Sequence, residues 1–362
     1  MNAYIVERDV LLRNIRLLVS RTEAAVYGVI KGGGYGLGLI PMAEVLKEAG
    51  VCRFAVTEVT EVRALRENGF MEEEILMLRE TGLESELREL LDLKATVTVG
   101  SLDTVGTLRQ IAVETGVRPV CHVKVDTGMG RYGFLPDRLE DMEAVYRMEA
   151  LDVRGVYTHF NRSYDDEALT RQEFAAFASV CEALESRGIQ VGLRHCCNSS
   201  AFLKYPEMHL DAVRLGSALL GRLSFPGDGG GLRPVGRCES RVEVLRTIPK
   251  GHAVGYGAGW KAKRETVIAV CGVGYYHGFG PPSRNDLSRF RDCFGGALSY
   301  VKAFLTRRSL WVTVNGKPAR VLGHVGMVQT VFDVTDIPCK VGDVVELPIK
   351  PLEVKGMEIR FL

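Results

Sequence analysis

The chain has 362 residues, more than one compact domain usually holds, with 46% apolar residues for a sizeable core and 25% charged ones. A formal net charge of +1 gives no electrostatic footprint for a polyanion, so no nucleic acid is an expected partner. No run of 18 apolar residues offers a membrane span, acids inside MNAYIVERDVLLRNI argue against a signal peptide, and nine scattered cysteines without metal-ligand spacing point to a reduced, cytoplasmic setting with no metal site.

Apolar, β-rich runs recur through the first two-thirds. They are AAVYGVI (24–30), CRFAV (52–56), EILML (74–78), ATVTV (95–99), PVCHVKV (119–125), VRGVYTH (153–159), VGLRHC (191–196) and DAVRLG (211–216). Helix-like segments lie between them. GLIPMAEVLKEAG puts Ile40, Ala43, Val45 and Leu46 roughly on one face and stops at Gly50. EVTEVRALRENGF stops at Asn68-Gly69, SLDTVGTLRQIAVETG opens on Ser101 as N-cap and closes at Gly116, and ALTRQEFAAFASVCEALESRG runs to Gly188. Eight strands alternating with helices predict an α/β fold, a (β/α)8 TIM-type barrel over residues 1–234. From about residue 235 short strands with turn residues between them, Asn315-Gly316 included, predict a mainly β C-terminal domain over 235–362, which the first few residues are free to join.

Barrel enzymes carry their chemistry at the C-terminal ends of the strands. Lys31 stands at such an end, before a glycine run and Tyr35. So do Asp126 to Arg131, His159, the Asn198-Ser199 pair and Gly216. A lysine there is either a surface residue leaving the barrel or an amine whose pKa desolvation lowers, freeing it as a nucleophile. Glycines beside it suit close approach by a phosphate or a flat ring. Taken singly, Tyr256 reads as a packed tyrosine, His159 as a hydrogen-bonded core histidine, Arg214 as a rim ion pair and Met327 as core; the ordered set carries the signal.

That set is KGGGYG (31–36), KVDTGMGRYGF (124–134), THF (158–160), CCNSSAFLKYPEMHLDAVRLGSALLG (196–221) and VGYGAGW (254–260). In this order the motifs resemble the alanine racemases, pyridoxal-phosphate enzymes of fold type III, over nearly the whole chain. The resemblance implies a (β/α)8 barrel with a C-terminal β domain, pyridoxal 5'-phosphate as cofactor, a small amino acid as substrate and a homodimer that shares its active sites. It also implies roles. Lys31 matches the lysine that carries the cofactor and acts as base on one face of the substrate, and Tyr256 the base on the opposite face, reaching in from the other subunit. Tyr35, Ser199, Gly216 and Ser217 match the phosphate cradle, and Arg214 the arginine facing the pyridine nitrogen. Arg131 matches the arginine near the substrate carboxylate, and His159 the histidine that bonds the catalytic tyrosine. Leu78 and Tyr275 line the cofactor and the entry corridor, Met327 meets the substrate carboxylate through its backbone, and Lys124 matches a lysine carbamylated in some members.

Two inferences follow from residue chemistry. Guanidinium stays protonated, so Arg214 cannot take a proton from a ring nitrogen and leaves the cofactor a weaker electron sink, which suits proton removal and return. Tyrosine ordinarily titrates near 10, so a tyrosine base needs cations close by, here expected from His159 and Arg131. The reading is an amino-acid racemase, an isomerase, acting on alanine. Alternatives left open are a racemase of serine or another amino acid, a decarboxylase or aldolase of the same fold, and a non-catalytic cofactor-binding protein. Four departures from the family stand out. KGGGYGLG replaces the usual KANAYGHG, which predicts a looser loop. Val328 follows Met327 where aspartate is usual. A basic stretch at 278–311 is longer than expected, and the C-terminus lacks the tyrosine that usually caps the phosphate site.

Overall fold

The computed structural model describes residues 2–280 and 310–362; residues 281–309, the body of the basic stretch singled out above, lie outside the described residues. The chain divides into two compact units, Glu7–Val235 and Met1–Val6 with Gly236–Leu362. The first strand in the chain, β1 (Ala3–Val6), belongs to the second unit.

The first unit is a closed parallel barrel of β2 (Ala25–Val29), β3 (Arg53–Val56), β4 (Glu74–Met77), β5 (Thr96–Val99), β6 (Val120–Lys124), β7 (Asp152–Tyr157), β8 (Leu193–His195) and β9 (Ala212–Leu215). β2 closes on β9 with Val26 opposite Val213 and Gly28 opposite Leu215. Seven of the eight apolar runs read from sequence contain one of these strands whole, and β7 begins at Asp152, one residue before the run at 153–159. The helices form for local reasons. Ser101 Oγ accepts the Thr104 N–H at 3.3 Å to open Leu102–Thr115, and Gly116 ends it in the left-handed conformation. Helices Arg8–Val19, Glu84–Asp92 and Leu139–Tyr146 add to those the sequence spacing had suggested.

Inside the barrel an apolar layer of Tyr27, Val29, Ala55, Leu76 and Ala212 packs against Ala25, Tyr35 and Leu78. The strands also bury polar groups: Thr98, His122, Lys124, Tyr157, His195 and Arg214. Buried polar groups demand partners, and most of these find them in one another, as described below.

In the second unit β1 pairs antiparallel with β10 (Arg237–Ile248). β11 (Ala253–Val254) and β12 (Trp260–Lys261) form a separate two-stranded ladder, and the sheet of β1 and β10 takes in β13 (Thr266–Cys271), β14 (Trp311–Val314), β15 (Lys317–Arg320), β16 (Thr330–Asp333), β17 (Val344–Leu347) and β18 (Glu358–Phe361). Its main path runs β15-β14-β17-β10-β1-β18, with β13 joining β10 to β16. Asn315 and Gly316 both take positive φ, 50° and 75°, as a two-residue hairpin turn between β14 and β15 requires. Among the described residues no helix is long and apolar enough to cross a membrane.

Candidate active site

Because the eight strands are parallel, their C-terminal ends open on one mouth, and the loops that leave it carry the barrel's candidate residues. Lys31 follows β2, Leu78 follows β4, Arg131 follows β6, His159 follows β7, Ser199 follows β8, and Gly216 and Ser217 follow β9. Burial lowers the Lys31 pKa, and the charge of Arg131 lowers it further, so a larger share of free amine is present near neutral pH.

The glycine run after Lys31 is an ordered turn, not the looser loop expected from composition. Gly32, Gly33 and Gly34 have φ of 63°, 61° and 68°, and Tyr35 follows at 56°. Side chains with a Cβ resist this left-handed region, and three consecutive glycines enter it without that penalty. Glu61 fixes the turn from the helix after β3, Val59–Glu67: its carboxylate accepts N–H groups from Gly33 at 2.9 Å, Thr57 at 3.1 Å and Glu58 at 3.2 Å. The turn lays Tyr35 across the β9 end, where a Cβ on Gly216 would stand 2.2 Å from its phenol oxygen. Burial raises the Tyr35 pKa to about 12, so its hydroxyl keeps its proton and donates. Ser199 Oγ accepts the N–H groups of Gly216 at 3.0 Å and Ala218 at 3.2 Å, which leaves its own proton free to donate outward. Asn198 holds this segment in place, its Oδ1 accepting from the Ser200 and Ala201 amides at 3.1 Å. Small residues and hydroxyl donors at one rim fit a phosphate dianion.

Arg214 is buried along β9. Nη2 donates to the Thr158 carbonyl at 2.6 Å and the Cys196 carbonyl at 3.3 Å, and Nη1 donates to the His195 carbonyl at 3.0 Å and to His195 Nδ1 at 2.8 Å. Guanidinium only donates, so donor counting assigns the neighbouring tautomers. His195 accepts at Nδ1 and carries its proton on Nε2, which donates to His122 Nδ1 at 2.9 Å. His122 then carries its proton on Nε2, facing Glu74 Oε1 at 3.9 Å. The Tyr27 hydroxyl donates to the same oxygen at 2.6 Å, and the Tyr27 and Tyr157 rings stack on His195 at 5.5 and 4.8 Å. Burial, then the charge of Arg214, pushes His122 down to about 3 and holds His195 well below the usual histidine range, so both rings are neutral. The two histidines were not picked out from sequence; the available signal was an imidazole inside each of two otherwise apolar strands.

His159 lies 3.5 Å from Arg214 Nη2, and burial with that charge keeps it well below its ordinary pKa. Positive charge at the mouth therefore resides on Arg214, Arg131 and the lysines, not on His159 as the sequence reading expected. Lys124 is buried, its Nζ has no hydrogen-bond partner among the described residues, and it lies 5.3 Å from the Tyr157 ring centroid. Burial, then Arg214, lowers its pKa to about 8. Arg131 ends the turn that begins at Asp126. The Asp126 carboxylate accepts the N–H groups of Gly128, Met129, Gly130 and Arg131 at 2.8–3.2 Å.

Three candidates belong to the second unit. Tyr256 heads the short turn Tyr256–Ala258 and is 80% exposed; Tyr275 and Met327 are 58% and 57% exposed. One segment, 323–327, supports all three. Gly255 packs against it, with room for a Cβ only 3.2 Å from the His324 amide nitrogen, and the Tyr275 N–H donates to the Gly326 carbonyl at 3.0 Å. Val328, next in the chain, is also exposed.

Comparison with known proteins gives a consistent result. A family model described as alanine racemase, N-terminal domain, matches residues 6–224, and one described as alanine racemase, C-terminal domain, matches 235–357. The chain is 35% identical over 352 residues to an alanine racemase of Desulforamulus reducens, spanning 94% of this chain and 88% of the relative. It is 30% identical over 336 residues to an alanine racemase of Methanococcus maripaludis, spanning 90% and 83%. Its fold matches the crystal structure of alanine racemase from the D-cycloserine-producing Streptomyces lavendulae with a TM-score of 0.85 at 25% identity, covering 100% of this chain and 97% of that one.

Proposed function

This chain belongs to the alanine racemase family of pyridoxal-phosphate-dependent isomerases, and on that premise we propose that it interconverts L- and D-alanine, with Lys31 and Tyr256 as the two bases and with each site completed by a second copy of the chain. The observation that carries the reading is the convergence at one barrel mouth of a desolvated amine, a hydroxyl-lined rim and a guanidinium that can only donate. Pyridoxal phosphate bound there supplies the electron withdrawal that loosens the substrate's α-hydrogen. The residues fit it. Lys31 offers the amine, Tyr35, Ser199 and Ser217 offer donors for the phosphate beside Gly216, and Leu78 offers apolar contact. Arg214, anchored by three carbonyls and His195, presents charge to the ring nitrogen without accepting its proton. Arg131 grips the substrate carboxylate, and Met327 meets it through its backbone.

Inversion needs a base on each face of the α-carbon. Lys31 takes or returns the proton on one face and Tyr256 on the other, with His159 a hydrogen-bond partner for the phenol. A tyrosine base must leave bulk water for a cationic setting. The exposure of Tyr256, Tyr275 and Met327 on one chain supports a homodimer in which these residues enter the partner's site, with Tyr275 in the entry corridor. The test is isotope uptake and chirality in deuterated water with L-alanine. Tyr256→Phe should keep the yellow holoenzyme and lose racemisation, and Lys31→Ala should lose both. Full racemisation by Tyr256→Phe would reject the two-base assignment. A second reading, preference for serine or a larger amino acid, is favoured by the exposed apolar Val328 beside Met327; rates across L-amino acids decide between them.

A further inference from the structure

We propose that Glu173 is a positioning residue for Arg131, acting through Asn161 and Gly128. Glu173 lies in helix Glu167–Ser186, behind the loop that follows β7, and is only 1% exposed. Among the described residues no cation pairs with its carboxylate, an arrangement that burial penalises. Burial, with Asp126 and Asp166 nearby, raises its pKa, while the Asn161 N–H opposes that rise. Its oxygens are engaged at the base of two catalytic loops. The backbone N–H of Asn161 donates to Oε2 at 3.1 Å and to Oε1 at 3.4 Å. Asn161 Nδ2 then donates to the Gly128 carbonyl at 3.2 Å. Oε1 also lies directly against Gly128, where a Cβ would stand 2.6 Å away and where φ is 148°. Only glycine suits that position on both counts.

The Asp126–Arg131 turn is thus held from two sides. Asp126 gathers its amides on the inner side, and Glu173 with Asn161 fixes Gly128 on the outer side. Thr127 and Thr158 bond through their hydroxyls at 2.7 Å and join the same two loops a third time. Arg131 is exposed, and its guanidinium lies 5.0 Å from the ring centroid of Tyr132, the next residue of the same segment, so its aim is set by the turn that carries both. Removing the outer restraint lets that turn drift, and grip on the substrate carboxylate weakens.

The inference rests on the reading of Arg131 as the carboxylate-binding arginine, and the experiment separates the two. The holoenzyme of the full chain is compared with Glu173→Leu, Glu173→Gln, Asn161→Ala and Arg131→Ala by steady-state kinetics with alanine and by amide hydrogen exchange. Glu173→Leu should raise KM by roughly tenfold to a hundredfold with a smaller change in kcat. It should speed exchange at residues 128–131 and at Asn161 while leaving the strands protected. Glu173→Gln keeps an acceptor and should restore both readouts to within about threefold of the original. Should Glu173→Leu fail to fold, Asn161→Ala carries the test, with the same rise in KM and the same local exchange. Unchanged loop exchange overturns the proposal, as does exchange raised throughout the chain with KM unaltered. If Arg131→Ala leaves KM unchanged, the role of Arg131 falls, and the exchange data still judge the clamp.

Discussion

Replacing Gly33 by alanine isolates the backbone strain in the turn that follows Lys31. Its φ is +61° and a Cβ there meets nothing within 4 Å, so no packing change accompanies the substitution. A residue with a Cβ in this region costs about 1 kcal/mol. The reduced freedom of the unfolded chain offsets about 0.5 kcal/mol of that. Gly33→Ala should therefore destabilise the barrel by about 0.5–1 kcal/mol. At Gly34, φ is +68° and a Cβ would stand 2.8 Å from Met42 Cγ and 3.3 Å from the Leu39 amide nitrogen. Overpacking of that kind adds about 1–3 kcal/mol, bringing Gly34→Ala to about 1.5–4 kcal/mol. Gly33→Asn should be close to neutral, since asparagine tolerates the left-handed region. Urea unfolding gives the order through its midpoints, provided the slope is unchanged. A Gly34→Ala protein as stable as Gly33→Ala, or a Gly33→Ala protein with the original midpoint, would refute the argument.

Other outcomes follow from the buried charges. Arg214→Met takes the guanidinium donor from the Thr158 and Cys196 carbonyls and from His195 Nδ1, while the His195 carbonyl keeps the Thr158 N–H at 3.3 Å; it should lower stability by about 3–5 kcal/mol and the calorimetric midpoint by roughly 10 °C, and a shift within error rejects the anchoring role. Lys124 titrates at about 8 in the folded barrel and near 10.4 when unfolded, so the unfolded chain binds more protons between those values and stability rises with pH across that window. In carbonate-free buffer Lys124→Met should therefore be stabilised relative to the original at pH 7, by about 3 kcal/mol at most, and the advantage should vanish near pH 10.5. In 13C-labelled bicarbonate, the original should show a carbamate carbonyl resonance that Lys124→Met lacks. At Asp126 burial favours the neutral form, but the amides of Gly130, Gly128 and Met129 outweigh it and the pKa falls. Its contribution is present above the unfolded value near 3.9 and is lost as pH falls through the folded one. The stability gap to Asp126→Asn should stand at pH 7 and close below about pH 4.

The barrel was legible because its determinants are local. Each strand is an apolar run bounded by turn residues, and Ser101 and Gly116 mark the ends of their helix in the sequence itself. Lys31, Arg131, His159 and Ser199 could be singled out because the C-terminal end of a strand is a position sequence can locate. The Gly32–Gly34 run signalled an unusual backbone but not its form, since the carboxylate that fixes it comes from Glu61, a whole strand later. His122 and His195 escaped notice because their bond depends on which faces of β6 and β8 point inward, and that is set by barrel closure. Glu173 looked like one more acid on an amphipathic helix; only the packing against Gly128 distinguishes it.

β1 is flanked by β10 on one side and by β18 on the other, with Ala3 opposite Glu358 and Val6 opposite Phe361. A ribosome makes the central member of that trio before the whole barrel, β10 after the barrel and β18 later still. Residues 3–6 therefore wait, unpaired, until β10 follows about 230 residues later, with the β18 edge open longer still, while the barrel can close behind them. Pairing of such distant segments is slow, so the final joining of the sheet is the step at which a nascent molecule is most open to capture by a neighbour's strand. The same adjacency places the two ends of the described chain side by side, where a short linker could join them and new ends be cut elsewhere.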